Sequence, residues 1–162
     1  MFNEINGLPA HVLIIHAAVV FTPLAALCAI AFAVLPSSRW LLRWPLLALE
    51  AVAFASVLAA VHSGVIFKQN LGISQALIAT HEHRGKQLQI LMWVFTAVVL
   101  VAVVTLGGPT ALASGKGARE GVASRPLQYA IAAVVVVGAI LVIIQVIRTG
   151  DAGSRALWAP NT

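Results

Sequence analysis

The residues able to do chemistry in this sequence are its five histidines: His11 and His16 in "LPAHVLIIH", His62 in "VHSGVIF", and His81 and His83 in "THEHRGK". A neutral imidazole ligates haem iron and metal ions, and near neutral pH it moves protons. His11 and His16 stand in an otherwise apolar run, where polar side chains are costly unless partnered. Four other polar residues occupy similar settings: Glu50 in "LALEAVAF", and Gln145, Arg148 and Asp151 in "IIQVIRTGDAG".

The elements that must position them follow from hydropathy. Of 162 residues, 60% are hydrophobic and 9% charged, and the mean hydropathy is +0.97, well outside the balance of a water-soluble domain. A bilayer core of about 30 Å takes roughly 20 apolar residues per helix. Four runs qualify, 8–35, 40–67, 88–106 and 127–147. The expectation is an all-α fold: a four-helix transmembrane bundle, up-down-up-down, forming a single integral membrane domain over 1–162. The N-terminal run is too long for a signal h-region and has no Lys or Arg before it, so the first helix is read as retained. The single Cys28 says nothing of compartment.

Punctuation fits this map. "LPSSRWLLRWP" turns between the first two helices, with Trp40 and Trp44 suited to the interface and Arg39 and Arg43 to lipid headgroups. "GGPTALASGKGAREGVASRP" (107–126) reads as a flexible linker, with Pro126 opening the fourth helix. The mixed segment 68–86 reads as a short helix along the membrane surface. Small residues recur every four positions at Ala25, Ala29 and Ala33, and again at Ala51, Ala55, Ala59 and Ser63, rows that let helices approach closely in lipid. The net charge of +5 is scattered over loops and helix ends and forms no nucleic-acid-binding stripe.

Four antiparallel spans bring the start of the first helix, the end of the second, the start of the third and the end of the fourth to one membrane face. All five histidines therefore gather there, with Gln145, Arg148 and Asp151. By rise per residue His16 and His62 reach similar depths, roughly 6 to 12 Å below the surface. They are the leading candidates for the axial ligands of a b-type haem. His11, five residues from His16, points about 140° away from it and suits a propionate or surface role. An extended "HEH" would let His81 and His83 hold a metal with Glu82, whereas a helical one would not. Asp151 either fixes a histidine tautomer or pairs with Arg148 or Arg155. Gln145 bonds two helices together. Glu50 either carries protons or snorkels toward Arg39 or Arg43, and the second is the simpler reading.

Taken singly, each histidine is better explained by a hydrogen bond to a carbonyl or a lipid headgroup. The competing functions are accordingly a haem- or metal-binding electron carrier and a non-catalytic accessory subunit or homo-oligomeric bundle packed against a membrane partner. Phosphate loops, nucleophile elbows and His-Glu-x-x-His helices are absent from the sequence, which argues against an enzyme. Basic residues divide evenly between the two faces. The first helix has none before it and two shortly after it, which favours both termini outside.

Together "LPAHVLIIH", "VHSGVIF", "THEHRGKQL" and "RTGDAGSRALW" resemble a bacterial family of small four-span membrane proteins, domain of unknown function family 2231. The resemblance covers essentially the whole chain and implies a protein of the bacterial inner membrane. It implies correspondence of His11 and His16 with the family's N-terminal histidine pair, and of Arg148, Gly150, Asp151, Gly153 and Trp158 with its tail motif. Relatives that join such a bundle to a Rieske iron-sulfur domain imply electron transfer, with a membrane redox partner, by analogy. The chain departs from the family pattern in its bare "HSGVIFKQ" and at Lys86, where an acidic residue is often found.

Overall fold

The computed structural model describes residues 4–5, 8–71, 75–107 and 123–158. Four helices dominate it: α1 (Ala10–Val34), α2 (Arg39–Leu71), α3 (Gln75–Thr105) and α4 (Arg125–Trp158). A two-residue pair, β1 (Glu4–Ile5) antiparallel to β2 (Leu8–Pro9), precedes α1, and a 3-10 turn at Pro36–Ser38 joins α1 to α2. All four helices are long and apolar enough to cross a membrane. The protein is thus a multi-pass membrane protein with an all-α four-helix bundle.

Consecutive helices run antiparallel. α1 packs on α2 and α4, and α3 packs on α2 and α4, so α1 and α3 stand diagonally opposed across the bundle axis. The core combines alanines with valines, leucines and the rings of Phe32 and Phe95: Ala25, Ala26 and Ala29 of α1 are fully buried, as are Ala53 of α2 and Ala139 of α4. Gly138 of α4 admits the Phe95 ring, since a Cβ there would lie 3.1 Å from its Cδ2. The row Ala25, Ala29, Ala33 thus lies at the helix seam. Ala51, Ala55 and Ala59 do not, because α2 turns that face outward and buries Leu46, Glu50, Ala53 and Val57 instead.

Three local expectations are corrected. The segment 68–86 is not a separate surface helix: α2 continues to Leu71 and α3 starts at Gln75, so both helices project beyond their apolar runs. Gly150 and Gly153 lie within α4 and make no turn that would fold the tail back. Arg39 does not reach for headgroups. Its Nε donates to Phe32 O at 3.0 Å, Nη2 to Ala33 O at 2.9 Å and Nη1 to Leu106 O at 2.6 Å. Helix C-termini leave carbonyls without intrahelical partners, and one guanidinium here serves the ends of both α1 and α3. Most of the linker read at 107–126, with Lys116 and Arg119, lies outside the described residues, as does Ile73 of the expected surface helix.

Candidate functional site

At the opposite end from Arg39, two half-buried histidines sit in matching seats. His11, in the first turn of α1, turns toward α2, where its Nδ1 meets Ser63 Oγ at 3.0 Å and its ring stacks on Phe67, centroids 5.5 Å apart at 29°. The ring rests against the backbone of Gly64: a Cβ there would lie 3.1 Å from His11 Cε1. His81, early in α3, turns toward α4. Its Nδ1 meets Thr149 O at 3.0 Å, and a Cβ on Gly153 would lie 3.0 Å from both its Cε1 and Nδ1. Each hairpin, α1–α2 and α3–α4, therefore presents one histidine from its first helix against a glycine and a hydroxyl residue near the end of its second.

The carbonyl contact fixes the tautomer of His81. Thr149 O is a carbonyl and can only accept, so His81 Nδ1 carries the proton. Ser63 Oγ lies 3.2 Å from Ala60 O, and where it donates to that carbonyl it accepts from His11 Nδ1–H. In that arrangement both rings keep an unprotonated Nε2, as where a second oxygen orients a ligating histidine.

The other sequence candidates fall elsewhere. His16 is exposed, and its Nδ1 bonds to Val12 O of its own helix. His62 is exposed as well, one residue off the α2 face that receives His11. The expected His16–His62 pair is therefore not brought together inside the bundle. His81 and His83 lie on one continuous helix, where positions two apart point to different sides, so His83 is exposed and the pair does not chelate. Glu82 between them accepts from Lys68 of α2 at 2.9 Å and from Lys86 at 2.8 Å. Among the described residues no three His, Cys, Asp or Glu come together to hold a metal ion.

Asp151 faces no histidine. Both its oxygens lie 3.0 Å from Arg155 Nε, one helical turn on. Gln145 joins α4 to α3, donating to Arg84 O at 3.1 Å and Gln87 Oε1 at 3.2 Å. Arg148 takes part through its carbonyl, which accepts from Arg84 Nη1 at 2.8 Å. Glu50 does not snorkel. It is buried mid-bundle, where Oε1 accepts from Thr96 Oγ1 at 2.7 Å. Sequence reasoning missed Gly64 and Thr149, and it named Ser63 in a small-residue row and Gly153 in the tail motif without setting either against a histidine. The available signal was a glycine inside a helical run, unfavourable there unless something approaches the backbone closely.

Two of the three α4 glycines, Gly150 and Gly153, provide a paired prediction. Gly150 has nothing within 4 Å of its absent Cβ, so Gly150→Ala should stabilise the protein by roughly 0.5–1 kcal/mol through helix propensity alone. Gly153→Ala gains the same propensity but pushes His81 off its Thr149 bond. Detergent unfolding should show no net gain, and the His81 ring resonances in NMR should shift in this variant only. The chain matches no family model, no curated protein and no solved structure.

Proposed function

We propose that the protein is a small electron carrier of the bacterial inner membrane, binding haem b at one face of the bundle through His11 and His81. The observation that carries this reading is a shared anchoring: two half-buried imidazoles, on diagonally opposed helices, are each held at Nδ1 by an oxygen of the following helix, which leaves Nε2 for a ligand. A haem needs only two such axial nitrogens from the protein. A mononuclear metal site needs three or four side-chain ligands, which favours haem over a bare metal ion here. His11 and His81 thus replace His16 and His62 as the leading ligands. We read the chain as a member of family 2231, with both termini outside and a membrane redox partner exchanging electrons at the histidine face.

The test is an absorption spectrum of protein purified in detergent from its native host, oxidised and then dithionite-reduced. Sharp α and Soret bands are expected in the wild type, in His16→Ala and in His62→Ala, and their loss in His11→Ala and in His81→Ala. A colourless, folded wild-type protein overturns the reading. The alternative, an accessory subunit or homo-oligomer, draws on one observation, the outward row Ala51, Ala55 and Ala59 that α2 offers to a helix of another chain. A colourless protein that crosslinks along this row would favour it.

A further inference from the structure

Glu50 is an ionisable group that the histidine end does not use. It lies about 20 Å along α2 from Ser63 and about 16 Å from Arg39, at 1.5 Å per residue, which sets it deep in the membrane-spanning part of the bundle. It is 2% exposed, and its Oε2 is buried with no hydrogen-bond partner. The His11–Ser63 contact fixes the register of α1 on α2, and carried along both helices it sets Thr22 within a turn of the level of Glu50. Thr22 is 1% exposed, and its Oγ1 is also buried without a partner. Thr22, Glu50 and Thr96 thus make one polar layer inside a core otherwise closed by Ala26, Ala53, Phe95 and Ala139.

We propose that Glu50 is a reversible proton-binding site in the middle of the bundle, resting as the neutral acid. The charges around it are sparse. Among the described residues Glu50 has no ion pair. The titratable groups nearest in register are Cys28 on α1, more than a turn nearer the Arg39 end, Arg43 on α2 itself and, toward the histidine end, the exposed His16 of α1 about 12 Å away and the exposed Lys86 of α3 about 15 Å away, with Arg39 about 16 Å off. On α3 the layer presents only Thr96, and on α4 the first titratable side chain toward that end is the exposed Tyr129. A carboxylate buried without a countercharge is far costlier than the neutral acid. A metal cation is the poorer occupant, because hard cations take about six oxygen ligands and only Glu50 Oε2 and Thr22 Oγ1 are uncommitted here.

Release breaks the O–H bond at Oε2, leaves the electron pair on the carboxylate and passes the proton to water; uptake reverses it. Thr96 Oγ1–H donates to Oε1 in both forms and strengthens its bond when the charge appears, which lowers the cost of the transient carboxylate. This site stands on its own geometry and does not depend on haem at the other end.

Infrared spectroscopy of the protein in lipid vesicles tests it, in H2O and D2O and across a pH titration. A carboxylic-acid C=O band is expected at neutral pH, shifting in D2O and giving way to a carboxylate band at high pH. It should be lost in Glu50→Gln and displaced in Thr96→Val; if the first variant does not fold, the second still assigns the band. Folded wild type without an acid band displaced by Thr96→Val overturns the proposal, and so does such a band that neither exchanges in D2O nor titrates.

Discussion

Arg39→Met is expected to cost about 3 kcal/mol in reversible detergent-induced unfolding. The side chain makes three charge-assisted bonds, to Phe32 O, Ala33 O and Leu106 O, and a charged hydrogen bond contributes roughly 1.5–3 kcal/mol where water is scarce. Partial exposure of the guanidinium keeps the total well below three times that value. Methionine preserves the apolar stem but leaves three helix-terminal carbonyls of two helices without their donor. Arg39→Lys should recover only part of the loss, since one ammonium cannot span acceptors on both α1 and α3 as the planar fork does. Arg43→Met is the contrast: its guanidinium lies 5.4 Å over the exposed Trp44 ring, so the change should cost about 1 kcal/mol or less. Equal losses at both arginines would show that charge at the interface matters and the double cap does not.

Ala29→Leu should be nearly as damaging, about 2–3 kcal/mol, by the opposite mechanism. Ala29 is fully buried between Ala25 and Ala33 in the α1 seam, and no rotamer of leucine fits there without prising helices apart. In lipid the separated faces are solvated by acyl chains, so no hydrophobic penalty pushes them back together. Ala55→Leu, the same change on the outward face of α2, should fall within about 0.5 kcal/mol of wild type. A comparable loss at Ala55 would mean that the outward row is occupied by another helix.

These two alanine positions show what was legible in the sequence. Length and hydropathy give the number of spans, and alternation of direction gathers His11, His62 and His81 at one end without any contact being known. Which side of each helix faces inward was not legible. A water-soluble helix betrays its buried face by a polar one opposite, but helices apolar all round do not. The phase of α1 was therefore open, and His16 was preferred to His11 on depth when the helix turns His11 inward and His16 outward. The same ambiguity set Ala51, Ala55 and Ala59 at the seam instead of Ala53. Asp151 and Arg155 were legible as one of two alternatives because the i,i+4 spacing is local. The Arg39 cap was not, since its third acceptor lies 67 residues along the chain.

That separation bears on how the protein is made. Phe32 and Ala33 leave the ribosome before Arg39, so a nascent chain holding only α1 and α2 already offers two of the three acceptors. The last, Leu106 O, appears when α3 is complete. Until then an arginine keeps one arm uncommitted, and its closing bond joins Thr96–Glu50 and Lys68–Glu82 in tying the second hairpin to the first. The full Arg39 clasp therefore forms only after α3 has been made, later than the α1–α2 hairpin it also caps.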